Sequence, residues 1–128
     1  MSEAEFKEIL GNEPTLTYSG FENSLNSNKF QENRMMLEKA LDEFITCCEW
    51  ISKYQTHFSR KDLKEFNFLR HHLNSYYLTH SIEKWSGSHI SNGALIAALI
   101  HKGIKYKPVL GSPDVLAILP LKKETPFL

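Results

Sequence analysis

The sequence has few of the features from which recognisable functional sites are built. Its 128 residues include only two cysteines, Cys47 and Cys48, and these are adjacent. Neighbouring side chains diverge on a helix, so a disulfide between them is not expected. There is no Cys-x-x-Cys pair, no Gly-x-Gly-x-x-Gly and no Walker-type phosphate loop. We therefore predict no cofactor, no metal and no nucleotide hydrolysis.

Long apolar runs are also missing. No stretch approaches the roughly 18 apolar residues that a membrane span needs, and the sequence begins with the acidic MSEAEFKEIL instead of a basic and then apolar leader. These features predict a cytoplasmic protein without membrane contact. With 41% hydrophobic and 23% charged residues, the composition is that of an ordinary globular protein, and the length suits a single domain, 1–128.

The formal net charge is zero, but the charges are unevenly distributed. Residues 1–50 contain four Lys or Arg against ten Asp or Glu, whereas residues 51–128 contain eleven against five. All six histidines lie in the second half. A basic half can attract a polyanion such as nucleic acid. The alternative is that the two halves, or two copies of the chain, neutralise each other.

The first part of the chain is predicted to begin with a short helix over 3–10, stopped at Gly11. Residues 11–28 are rich in Gly, Asn, Ser and Pro and predict an irregular connection, so that 1–28 is loosely ordered. Long helices are then predicted over 29–85.

The strongest helical pattern covers residues 29–56. Apolar side chains recur there at spacings of three and four, which predicts one helix with a single apolar seam. The seam consists of Phe30, Leu37, Leu41, Phe44, Cys48 and Ile51. Such a seam packs against another helix, in the same chain or in a second copy, so it offers a surface for protein contacts.

A second helical region is predicted to start near Ser59 and to break at Asn74–Ser75, with Ser75 as the cap of the next piece. Residues 86–120 predict a helix over 92–102, capped by Ser91 and ended by Gly103, followed by two strands. The sequence thus predicts an α+β fold, mainly α-helical, with a C-terminal two-stranded β-hairpin.

This order of elements is that of a winged-helix DNA-binding module. Helix 92–102, however, is too apolar to read bases, because it offers only Asn92, His101 and Lys102 to them. Phosphate contacts from a basic surface are the more reasonable nucleic-acid hypothesis. The residues predicted for it are Arg60, Lys61, Lys64, Arg70, His71, His72, Lys105 and Lys107.

One further group of polar residues is a candidate small binding site. His80 and Glu83 are three residues apart on a predicted helix and share a face. Ser91, Asn92 and Gly93 begin the next helix, where free N–H groups favour an anion. The alternative is a purely structural connection, and a cluster satisfied by its own hydrogen bonds would exclude catalysis.

A catalytic cysteine is a further hypothesis, with Cys47 or Cys48 as the nucleophile and His57 as its base. The apolar and acidic residues around these cysteines disfavour it, because they raise the pKa of a thiol.

The segments SYYLTHSIEKW, HISNGALIAALIHKGIKYK and GSPDVLAIL resemble a family of small uncharacterised bacterial and phage proteins of mobile elements. The resemblance covers residues 75–119. Two family motifs are matched by Ser75, Leu78, His80, Glu83, Ile90, Ser91, Asn92 and Gly93. Thr79 stands where the family has lysine, and His89 where it has tyrosine. The resemblance implies a bacterial or phage context and no particular activity.

Two functions remain open from the sequence. The first is a small adaptor or regulator that is not an enzyme and acts through protein contacts, including its own dimer. The second is a nucleic-acid-binding accessory protein of a mobile element that uses the basic residues.

Overall fold

The computed structural model of the chain describes residues 2–22, 28–56, 72–122 and 125–126. The described residues form a mainly α-helical α+β fold, as predicted. Its elements, in chain order, are α1 (Ser2–Asn12), β1 (Leu16–Thr17), β2 (Gly20–Phe21), α2 (Asn28–Glu38), α3 (Leu41–Tyr54), β3 (His72–Asn74), α4 (Ser75–Ser86), α5 (Asn92–His101), β4 (Tyr106–Pro108) and β5 (Val115–Ile118).

Helix α5 lies at the centre of the molecule. Every residue from Asn92 to Leu99 is buried, and the helix packs against α1, α3, α4 and β2. Alanines at 94, 97 and 98 leave room for neighbours on several sides at once. Ser91 caps the helix, and Gly103 follows it with φ +69°, as the sequence predicted. A helix buried on all sides cannot enter a DNA groove.

The C-terminal hairpin is confirmed, and the structure adds a strand to it. Strands β4 and β5 pair antiparallel, and β3 pairs with the other edge of β5. Strand β5 is therefore central, with Val115 and Ala117 buried beneath it. Pro108 lies in the edge strand β4, where its missing N–H breaks no ladder bond.

Four details of the fold differ from the prediction. Helix α1 continues through Gly11 to Asn12, and the connection predicted to be irregular contains the hairpin β1–β2, in which Leu16 and Thr17 are fully buried. Asn74, and not Ser75, caps α4, because its side chain accepts a hydrogen bond from the N–H of Tyr76 (2.8 Å). Short strand β3 stands where the sequence predicted helix.

The predicted helix over 29–56 is two helices, α2 and α3. The chain turns at Lys39 and Ala40, whose N–H groups bond three residues back, to Met36 (3.2 Å) and Leu37 (2.9 Å). The apolar seam is present but is used inside the molecule: Phe30, Leu37, Phe44 and Ile51 are buried, and Leu41 and Cys48 are partly buried. Most of this seam therefore packs inside the described part of the chain.

Buried side chains from α1 to β5 form one continuous cluster. Within the described ranges, no helix has the length and apolarity that crossing a membrane requires.

Candidate functional site

Four of the five predicted small-site residues lie where α4 connects to α5. Ser91, which precedes the first residue of α5, is buried, and both its hydroxyl and its N–H are hydrogen-bonded. Its hydroxyl accepts a hydrogen bond from the N–H of Ala94 (3.2 Å), and its own N–H donates to Glu43 Oε1 (2.6 Å). At the start of α5, the N–H groups of Ser91, Gly93 and Ala94 are thus bonded within the chain itself.

Glu43, on α3, is the main residue that sequence reasoning missed. Its Oε2 accepts a hydrogen bond from the Tyr18 hydroxyl (2.9 Å), while its Oε1 holds Ser91. One carboxylate therefore ties α3, the β1–β2 hairpin and the start of α5 together. Burial and the Glu43 carboxylate raise the pKa of Tyr18 to about 12, so the phenol stays protonated at neutral pH.

Asn92 ties the same helix start to two other segments. Its amide nitrogen donates to the Ser19 carbonyl (2.9 Å) and to Asp114 Oδ1 (2.9 Å). Asn92 is buried, and within the described part of the chain its Oδ1 atom has no hydrogen-bond partner. The side chain thus connects the β1–β2 turn to the residue just before β5.

Among the glycines, Gly93 is the one whose added Cβ would lie nearest to another backbone atom. Its N–H donates to the Tyr18 carbonyl (3.0 Å), and a Cβ at this position would lie 1.9 Å from the Thr17 carbonyl oxygen. The missing side chain of Gly93 is what lets a neighbouring backbone lie this close. The neighbour is the β1–β2 hairpin.

Glu83 and His80 do not converge on one point. Glu83 Oε1 accepts a hydrogen bond from the N–H of Ile90 (3.3 Å) and lies 3.5 Å from His89 Nδ1. His80 is exposed, and its ring contacts Tyr76 edge-on, with 4.8 Å between centroids. The structure therefore brings Glu83 to the α4–α5 connection and places His80 on the outer surface of α4.

The cluster around Ser91 resembles a structural connection more than a reactive site. Most of its donors and acceptors are bonded to groups of the same chain, and of the cluster's described side chains only Asn92 leaves a buried polar atom, Oδ1, without a partner. Two cavities occur elsewhere on the described surface, of about 540 Å³ beside α3 and about 400 Å³ beside β2. Neither is lined by His80, Glu83, Ser91, Asn92 or Gly93.

Three of the residues predicted to contact nucleic acid, His72, Lys105 and Lys107, lie within the described residues. Arg60, Lys61, Lys64, Arg70 and His71 lie outside the described residues, as does His57. His72 begins β3. Lys105 and Lys107 are both exposed, before and within β4.

The cysteine environment is that of structural thiols. Both cysteines are free; Cys47 is fully buried and Cys48 partly buried. Burial raises the pKa of Cys47 well above its ordinary value and that of Cys48 to about 11. Among the described residues, no three His, Cys, Asp or Glu side chains are grouped so that they could hold a metal ion.

We expect the native thiols to alkylate slowly at pH 8. Raising a thiol pKa from 9 to about 11 lowers its thiolate fraction, and the stronger nucleophilicity of the thiolate offsets only part of this, which leaves Cys48 roughly tenfold slower than an ordinary thiol. Iodoacetamide labelling followed by mass spectrometry measures this rate. Unfolding in urea should make both thiols react rapidly. Faster native labelling of Cys47 than of Cys48 would contradict the burial order.

Comparison with protein-family models, with curated proteins and with solved structures finds no match to the chain. The resemblance to mobile-element proteins thus stays a prediction.

Proposed function

We propose that this protein is a nucleic-acid-binding accessory protein without catalytic activity, which holds phosphate through the cationic surface of its second half. The observation that carries the proposal is the state of the charged residues within 72–122. This range contains five lysines, Lys84, Lys102, Lys105, Lys107 and Lys122, against two acidic residues, Glu83 and Asp114.

Both of those carboxylates are already engaged within the fold. Glu83 accepts from the Ile90 N–H, and Asp114 accepts from the Asn92 amide. By contrast, Lys84, Lys105, Lys107 and Lys122 are exposed. The ammonium groups of these four lysines therefore face water, while the two carboxylates of the same range are bonded within the protein. Such a surface attracts a polyanion and releases its counterions.

The adaptor hypothesis loses its original surface. It relied on the apolar seam of residues 30–56, of which Phe30, Leu37, Phe44 and Ile51 are buried in the chain itself. The nucleic-acid hypothesis relied on basic residues, and the two lysines among them that the structure describes, Lys105 and Lys107, are exposed. The geometry therefore favours the second hypothesis.

Salt dependence tests the proposal. We expect the fluorescence anisotropy of a fluorescein-labelled 20-nucleotide strand to increase when the protein binds it. The logarithm of the association constant should fall linearly with the logarithm of the salt concentration. The double variant Lys105→Ala/Lys107→Ala should weaken binding to every sequence alike and reduce the slope by about 1 to 2. Lys7→Ala is the matched control, because Lys7 lies in the acidic half and pairs with Glu3 (3.2 Å). Absence of binding at 20 mM salt would overturn the proposal.

Protein contact is the second candidate, supported by the exposure of Tyr76 and Tyr77 on α4. Tyrosine is enriched at protein interfaces. If this surface pairs two copies of the chain, sedimentation velocity at high protein concentration should show a dimer that Tyr77→Ala dissociates. A monomer throughout would exclude self-association.

A further inference from the structure

We infer that the outer face of α4 is a stacking surface for single-stranded nucleic acid, with a base placed on Tyr77 beside Tyr76 and a phosphate held by Lys84. This inference rests on the proposed function, since it specifies which form of nucleic acid is bound and by which residues. We call the set Tyr76, Tyr77, His80 and Lys84 the α4 face. All four side chains are exposed.

The two tyrosine rings are unusually accessible for large apolar groups. Tyr77 is 71% exposed and Tyr76 is 52% exposed. The rings of Tyr76 and Tyr77 meet edge to face, with 6.0 Å between their centroids and an angle of 69° between their planes. The planes of the His80 and Tyr76 rings meet at 89°. Because none of these pairs is stacked in parallel, the arrangement leaves ring surface open to a planar ligand. An unpaired base offers such a plane whatever its sequence.

The α4 face is held rigidly from the inside. Leu78 and Ile82 bury their side chains in the core, so that the opposite side of the helix must face solvent. Asn74 caps the first turn, and Gly87, with φ +73°, ends the last by donating its N–H to the Glu83 carbonyl. A ligand that docks here does not have to order the helix, which lowers the entropic cost of binding.

The charge of the α4 face matches a phosphodiester strand. Lys84 lies two helical turns from Tyr76, about 12 Å along the axis. The one acidic residue of α4, Glu83, directs its carboxylate to Ile90 and His89. The face therefore combines aromatic rings with a cation and presents no unengaged carboxylate, and this combination is typical of surfaces that bind single strands.

A duplex is a poorer fit for the same residues. Bases in a duplex are already stacked, and they are read by Arg, Asn or Gln side chains that reach into a groove. The α4 face has none of these, and α5, the other candidate reading helix, is buried. Single strands are the class whose bases are free to stack on tyrosine.

The test compares strand form and ring chemistry on the full chain. Anisotropy is measured with labelled 12-nucleotide single strands and with the duplex of the same sequence, at one salt concentration. We expect tighter binding of the single strand, and Tyr77→Ala should weaken it by roughly 5- to 100-fold. Tyr77→Phe keeps the ring and should bind like the original. Met35→Ala/Met36→Ala, which alters exposed apolar residues of α2, is the matched control.

The outcomes separate the inference from the proposed function. If the duplex binds as tightly as the single strand and Tyr77→Ala has no effect, the stacking inference is wrong while the cationic surface still binds nucleic acid. If neither form binds, both fail. If Tyr77→Ala changes only self-association, the α4 face is a protein contact and the inference is overturned. Circular dichroism and thermal unfolding of Tyr77→Ala should match the original, because the side chain is exposed.

Discussion

Replacing Gly93 with alanine is expected to destabilise the fold by about 3 kcal/mol or more, a large part of the stability of a domain this size. In a helix, glycine to alanine normally stabilises by roughly 0.5 to 1 kcal/mol. Here the new methyl group would lie 1.9 Å from the Thr17 carbonyl oxygen and 3.1 Å from Tyr18 Cα. Both are backbone atoms, so no side-chain rotation relieves the clash.

The hairpin β1–β2 would have to move away from α5. That movement breaks the bond from the Gly93 N–H to the Tyr18 carbonyl (3.0 Å) and opens the site of Leu16, which is fully buried. Urea unfolding followed by circular dichroism measures the change in the free energy of unfolding.

Gly11→Ala is the matched control for this substitution. Gly11 also lies in a helix, but it is exposed, and a Cβ there meets nothing within 4 Å. We expect Gly11→Ala to be neutral or to stabilise by up to about 1 kcal/mol. If the two variants change stability equally, the close approach at Gly93 does not hold the hairpin in solution.

Local signals in the sequence predicted the elements that depend on neighbouring residues. The Ser91 cap, the Gly103 stop and the strands on either side of the turn at Gly111 are set within a few residues, and the structure has them where they were expected. The break near Asn74 was predicted for the same reason, although the cap was assigned one residue too late.

No comparable local signal in the sequence indicates that residues 29–56 form two helices. Leu37 and Leu41 continue the apolar period across the turn, and neither Lys39 nor Ala40 is a helix breaker. The turn is set by packing, since α2 covers β1 while α3 covers α5. Periodicity identifies which residues are buried but does not identify what covers them, so a seam used inside the chain looks the same as a seam left for a partner.

The hydrogen bonds around Ser91 could not be predicted from the sequence either. Glu43 is 48 residues from Ser91 and 25 from Tyr18, and its spacing on α3 is that of an ordinary acidic residue in the first turn of a helix. The candidate residues Ser91, Asn92 and Gly93 were found because they form a compact motif. Their role as attachment points depends on contacts with Tyr18, Ser19 and Asp114, which only the fold brings near.

Replacing Glu43 with leucine is expected to destabilise the fold by about 3 kcal/mol. The substitution leaves the buried Ser91 N–H and the Tyr18 hydroxyl without their acceptor, and each group then keeps its desolvation cost. It also removes a negative charge from the positive end of α5. Thermal and urea unfolding of the two proteins measure the loss.

Companion variants divide this effect into its parts. Glu43→Gln keeps an oxygen for Ser91 and a polar group for Tyr18 while it removes the charge, so we expect a loss of about 1 kcal/mol. Tyr18→Phe removes one hydrogen bond and should also cost about 1 kcal/mol. Glu49→Gln, an exposed position on the same helix, should stay within about 0.5 kcal/mol of the original. A Glu43→Leu variant as stable as Glu49→Gln would mean that the carboxylate does not join α3 to the start of α5.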